Sequence, residues 1–159
     1  MAGTIAVSRF GPDSFPVSAN ATTNSLNYID GGILVVADAA SAGTVIPAPV
    51  TGTTVAVLGV NLQPAVGPSY VTSSIPGYGG SQLDYSVPDN EAVVGWQGTF
   101  KLTWDGQGTY GFGKPVYTSA VVGGQASFTT TTTMVGICVD PNAPVSGGQV
   151  LVRFTGNVA

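Results

Sequence analysis

Phe100-Lys101-Leu102-Thr103-Trp104 decides how the rest of the chain is read. Phe100, Leu102 and Trp104 fall on one side of a period of two, and Lys101 and Thr103 on the other, which is the pattern of a half-buried strand. Three further short runs follow it. They are Lys114-Pro115-Val116-Tyr117, Met134-Val135-Gly136-Ile137-Cys138-Val139 and Gln149-Val150-Leu151-Val152-Arg153-Phe154, each set off by turns rich in Gly and Pro. All are expected as strands.

Upstream, Ile33-Leu34-Val35-Val36 is continuously apolar, the mark of a strand buried on both faces. Thr44-Val45-Ile46 and Thr53 to Val60 continue the β-branched theme. Asp38 to Gly43 allows a single helical turn, and Thr129 to Thr133 an edge strand or the approach to one. No stretch of ten or more residues carries a helical period. The expected fold class is all-β: a compact sandwich or barrel with an extended N-terminal arm and long loops. The division expected is an arm over residues 1–30 and a single β domain over 31–159, with Asp30-Gly31-Gly32 as the hinge. In the arm, Ile5, Val7, Phe10 and Phe15 are apolar, while 18–27 is small and polar. That suits a docking arm and a frayed first edge strand equally well. Pro64 to Gly80 is expected as a long loop of the kind used at interfaces.

Composition excludes several functions. Charged residues make up 8% of the 159, against roughly 25% in ordinary domains, and only Arg9, Lys101, Lys114 and Arg153 are basic. Four scattered cations cannot neutralise a phosphate backbone, so no nucleic-acid partner is expected. A surface so poor in charge is best kept soluble by burial against other subunits. No apolar run approaches the roughly 20 residues that span a bilayer, and the first residues lack the pattern of a secretory signal. Synthesis in the cytoplasm, with no membrane partner, is therefore expected.

Catalytic chemistry finds little to use. The chain has no histidine, which removes the Ser-His-Asp and Cys-His arrangements. Cys138 sits within an apolar strand and is expected to act as a small hydrophobe. Gly106-Gln107-Gly108-Thr109-Tyr110-Gly111 has the spacing of a dinucleotide loop, but Phe112-Gly113-Lys114-Pro115 cannot open the helix that would receive a pyrophosphate. It is expected as a glycine-rich turn, with no cofactor. Asp84, Asp89 and Glu91 are too loosely spaced for a calcium loop, so no metal is expected. Asp140-Pro141-Asn142 is turn chemistry. Among the aromatic residues, Tyr70, Tyr78, Tyr110 and Phe112 lie in loops and form a possible interface.

Several of these pieces, taken in order, resemble the capsid decoration (cement) proteins of tailed bacteriophages. They are the Gly-Gly before Ile33-Leu34-Val35-Val36, Val57-Leu58-Gly59-Val60, Gly98-Thr99-Phe100-Lys101-Leu102, Gly113-Lys114-Pro115-Val116-Tyr117, Val135-Gly136-Ile137-Cys138 and the closing Gln149 to Phe154. The resemblance covers about three quarters of the chain, and the 61–91 stretch and the N-terminal segment depart from it. It implies a β-tulip-like domain, a homotrimer seated on the major capsid protein at the outer surface of the virion, and no enzymatic activity. It also implies that the N-terminal segment reaches the capsid. Thr4, Ile5, Ala6, Val7 and Phe10 suit addition as a strand, with Ile5 and Val7 toward one face. The alternative is a fibre or adhesin module that holds glycans on its loop aromatics. A β-sandwich hydrolase built on Asp84, Asp89 or Glu91 stands far behind both.

Overall fold

A computed structural model describes residues 12–23, 26–50, 53–68, 91–131, 133–145 and 147–158. The described residues form strands and turns with no helix. The strands are β1 (Asp13–Pro16), β2 (Tyr28–Ile29), β3 (Ile33–Ala37), β4 (Val45–Pro47), β5 (Val57–Asn61), β6 (Ala65–Val66), β7 (Glu91–Gly95), β8 (Gly98–Thr103), β9 (Pro115–Thr118), β10 (Ala126–Ser127), β11 (Met134–Cys138) and β12 (Gln149–Val158). They make two five-stranded sheets, β1-β7-β5-β3-β4 and β10-β9-β11-β12-β8, and a ribbon of β2 with β6. The four strands expected from the last third are β8, β9, β11 and β12, and all belong to the second sheet. Pro16 and Pro47 lie on the outer strands of the first sheet, where a missing N–H leaves no gap in the ladder.

The unbroken apolar run of β3 is explained by a core on each side. Leu34 and Val36 join Val57, Val60, Leu102, Trp104, Val116, Val135, Cys138, Val150, Val152 and Phe154 between the two sheets. Ile33 and Val35 face the other way, onto Val17, Ala21, Ile29, Val45, Ala65, Ala92 and Val94. The first sheet is therefore covered on both faces, by the second sheet and by the segment from Val17 to the β2–β6 ribbon.

That second cover corrects the arm boundary. β1 pairs antiparallel with β7, Asp13 opposite Val94 and Pro16 opposite Glu91. Val17, Ala21 and Ile29 are fully enclosed. Residues 13–30 thus belong to the body, and the arm reading applies only to residues before Pro12, outside the described residues. Asp30-Gly31-Gly32 is no hinge either. Gly32 donates its N–H to Asn61 O at 2.8 Å, and its carbonyl accepts from Thr103 N at 3.0 Å, tying the first sheet to β8. The other expected features fare differently. The Asp38–Gly43 stretch is a pair of turns rather than a helical one. The threonine run is the approach to β11, where Thr133 O accepts from Thr118 N and Thr133 Oγ1 accepts from Val55 N.

The sheets are also laced together by a main-chain triangle. Leu34 N donates to Gly124 O, Gly124 N to Ala48 O and Ala48 N to Leu34 O, at 2.7, 2.7 and 2.8 Å. Gly124 has φ 76°, and a Cβ there would lie 2.3 Å from Ile33 Cγ2, so only glycine fits. On β11 the register slips between Met134 and Gly136. A Cβ at Gly136 would stand 2.2 Å from Arg153 O, so this bulge brings the two backbones closer than any side chain permits.

Polar bonds add to the packing of Val17 and Ala21 in holding the 17–23 segment in place. Asp38, itself buried, accepts from Ser18 Oγ at 2.5 Å, Asn20 Nδ2 at 2.9 Å and Ala40 N at 2.8 Å. The hydrogen bond from Ser18 is the largest cause lowering its pKa, followed by those from Asn20 and Ala40. A carboxylate with a lowered folded pKa adds stability above its unfolded value, and that stability is lost as pH falls through the folded value. Asp38→Asn is therefore expected to flatten the acid limb of a melting-temperature profile between about pH 2 and 5. An unchanged limb would show that the three bonds do not depend on the charge.

Candidate interaction surface

Most of the residues singled out in the sequence for binding lie outside the described residues. These are Thr4, Ile5, Ala6, Val7 and Phe10, the loop tyrosines Tyr70 and Tyr78, and the acids Asp84 and Asp89. Glu91 is exposed at the head of β7. Tyr110 and Phe112, which the sequence pairs as exposed aromatics, have different fates.

Tyr110 belongs to the core's edge. Its hydroxyl donates to Asp140 O, and its ring stands edge-on to Phe128 at 5.7 Å, as does that of Trp104 on the same ring. Burial, then the nearby Cys138 and Asp140, raises its pKa. Phe112 is the member that faces solvent, 69% exposed. Its turn is pinned on both sides: Gly113 N donates to Cys138 O, and Lys114 N to Gly111 O. The preceding glycines Gly106 and Gly108 take φ of 79° and 76°, and a Cβ on Gly108 would lie 2.5 Å from the Phe128 carbonyl carbon. The dinucleotide-like spacing is thus a tight turn packed on Phe128.

The loop between β11 and β12 meets this turn at the same end of the second sheet. Asp140 organises it: Oδ1 accepts from Asn142 N and Oδ2 from Leu151 N. Gly148 N closes back on Val145 O, and Gly148 O accepts from Trp104 N. Val145 is left 81% exposed. Two large apolar side chains, Phe112 and Val145, are therefore presented from hydrogen-bonded loops at one end of the second sheet. Val121 and Val122, on the β9–β10 hairpin, are exposed at the other end of that sheet.

Beside the outer edge of β8 is a cleft of about 550 Å³, walled by Asp30, Leu62, Phe100, Lys101 and Gln149 among others. Asn61, fully buried, braces its base by donating through Nδ2 to Ile29 O, Asp30 O and Gln63 O. The sequence offers one clue to this residue: a lone polar side chain that ends the apolar run of Val57 to Val60.

Reactive chemistry is sparse here. Among the described residues no group of three or more His, Cys, Asp or Glu side chains is placed to hold a metal ion. Cys138 is buried in β11, and burial pushes its thiol pKa up, away from the reactive thiolate. The chain matches no family model, no curated protein and no solved structure.

Proposed function

We propose that this chain is a non-enzymatic structural protein that binds the outer surface of a tailed-phage capsid as a homotrimer, against the major capsid protein, and stabilises the shell against internal pressure. The observation that carries the reading is a sparsely charged chain holding Phe112 and Val145 out to solvent on pinned loops at one end. Exposed apolar side chains on rigid loops lose little entropy when a partner covers them. Modest contacts of this kind become tight when several copies bind together. The resemblance to decoration proteins supports the same reading, since most of its segments fall on strands that build the two sheets.

The test begins with the solution mass by light scattering, followed by co-sedimentation with expanded empty capsids. A trimer, or a monomer that loads at regular sites, is expected. The double variant Phe112→Ser/Val145→Ser should melt within about 0.5 kcal/mol of the wild type, because both positions are exposed. It should load at least roughly tenfold more weakly, the equivalent of about 1.4 kcal/mol. A stable monomer that ignores capsids overturns the reading. Glycan binding by that monomer, lost with Phe112→Ser, would give the surface to an adhesin module instead.

A further inference from the structure

The first sheet is covered on both faces, but the second only on its inner one. Leu102, Val116, Cys138 and Val152 turn from the second sheet into the core, so the residues between them turn outward. The register sets these outward residues in rows. Pro115, Ile137, Arg153 and Thr99 stand side by side across β9, β11, β12 and β8. On one side of that row Leu151 lies opposite Lys101, and on the other Tyr117 lies opposite Met134. Ile137, Leu151, Met134 and Tyr117 are half-buried, yet they belong to neither core. They are the apolar floor of an open sheet face.

Charge on this face runs against that of the chain, whose net charge is −4. The basic residues among the described ones are Lys101, Lys114 and Arg153, all in the second sheet or its turns. Asp13, Asp30, Asp38 and Glu91 lie with the first sheet and its cover. Asp105 and Asp140 sit in turns of the second sheet, accepting main-chain N–H groups there. No outward residue of β8, β9, β11 or β12 is acidic among those described. Lys101 and Arg153 are diagonal neighbours, about 7–8 Å apart. Both are exposed, and among the described residues neither side chain has a hydrogen bond or an ion pair. Their like charges repel, and carboxylates brought against them would relieve that while apolar groups covered Leu151 and Ile137. Arg, Tyr and Met, all present on this face, are enriched where proteins meet. A phosphate polymer fits less well, because two cations release few counterions and the aliphatic floor offers it nothing.

We infer that the outer face of the second sheet docks a protein surface on which carboxylates flank apolar side chains. Lys101 and Arg153 take the carboxylates, and Ile137 and Leu151 take the apolar groups. The inference does not rest on the capsid reading and is tested without a capsid.

The probe is a random copolymer of glutamate and tyrosine, with polyglutamate and heparin beside it, titrated into the full-length chain by calorimetry. A chain of net charge −4 is repelled as a whole by all three, so binding must come from a local face. The copolymer is expected to bind, more weakly as salt rises. Polyglutamate and heparin should bind at least about tenfold more weakly than it does. Lys101→Gln/Arg153→Gln should weaken the copolymer about tenfold and leave the melting temperature unchanged, because both side chains are exposed. The control Ala39→Glu/Ala42→Glu, in the exposed turns between β3 and β4, shifts the net charge equally. It should leave binding within about twofold of the wild type. No binding of the copolymer, or equal loss in the two double variants, overturns the inference. Heparin held as tightly as the copolymer also overturns it, and gives the face to a polyanion. So does self-association of the free chain that Lys101→Gln/Arg153→Gln abolishes, which would give the face to a second copy.

Discussion

Replacing Trp104 with alanine is expected to cost about 3–5 kcal/mol of stability. The side chain is 8% exposed and lies in the main core beside Leu102, Val116 and Val150. It also holds two other things in place. Its Nε1 donates to Gln107 O at 3.0 Å, which anchors the glycine turn. Its ring meets Phe128 edge-on, and Phe128 in turn meets Tyr110. Alanine would remove the bulk, take away one of the two hydrogen bonds to the Gln107 carbonyl, the other coming from Phe128 N, and leave Phe128 without one wall. For a chain of this length the loss corresponds to a fall in melting temperature on the order of 10 °C. Chemical denaturation checks it, with the midpoint falling and the slope unchanged. Trp104→Phe, which keeps a ring but loses the donor, should fall between the two. A midpoint equal to wild type would mean that the indole contributes no packing, against its burial.

The same residue shows why the second sheet was legible in the sequence. Phe100, Leu102 and Trp104 alternate with Lys101 and Thr103 because that strand has one wet face and one dry one, and a period of two records the difference directly. The first 30 residues carry no such record. Ser18 and Asn27 are buried through hydrogen bonds: Ser18 to Asp38, and Asn27 Nδ2 to the carbonyls of Ser18 and Ala21. A polar segment satisfied internally has the same composition as one satisfied by water, so the sequence alone reads as an arm there. Phe112 and Tyr110 pose the same difficulty at the candidate surface. Two residues apart in one turn, they are told apart by the Phe128 ring and by the Asp140 carbonyl, which comes from a loop 30 residues away. Strand order is likewise invisible: β8 pairs with β12, and β1 with β7, across separations that no local pattern encodes.

The continuous run at β3 was legible in kind, and its consequence is the sharper test. Val35→Asp is expected to abolish cooperative folding. Val35 is fully buried, on the face of β3 that looks away from the second sheet, among Val17, Ile29, Val45 and Val94. A carboxylate there has no cation among those neighbours, and an unpaired buried charge costs several kcal/mol even after the surroundings relax. That is comparable with the whole stability of a domain, about 5–15 kcal/mol. Leu58→Asp supplies the contrast. It lies in β5 of the same sheet but is 37% exposed, so its carboxylate keeps access to water. It should cost no more than about 1 kcal/mol. The comparison is made by unfolding transitions, with solubility of the expressed protein as a second readout. A first sheet covered on one face only would tolerate Val35→Asp about as well as Leu58→Asp, because one of its faces would be wet. Equal tolerance would therefore remove the cover formed by residues 17–29 and return that segment to solvent. Loss of folding by Val35→Asp alone makes it a wall of the core, on which the rest of the first sheet depends.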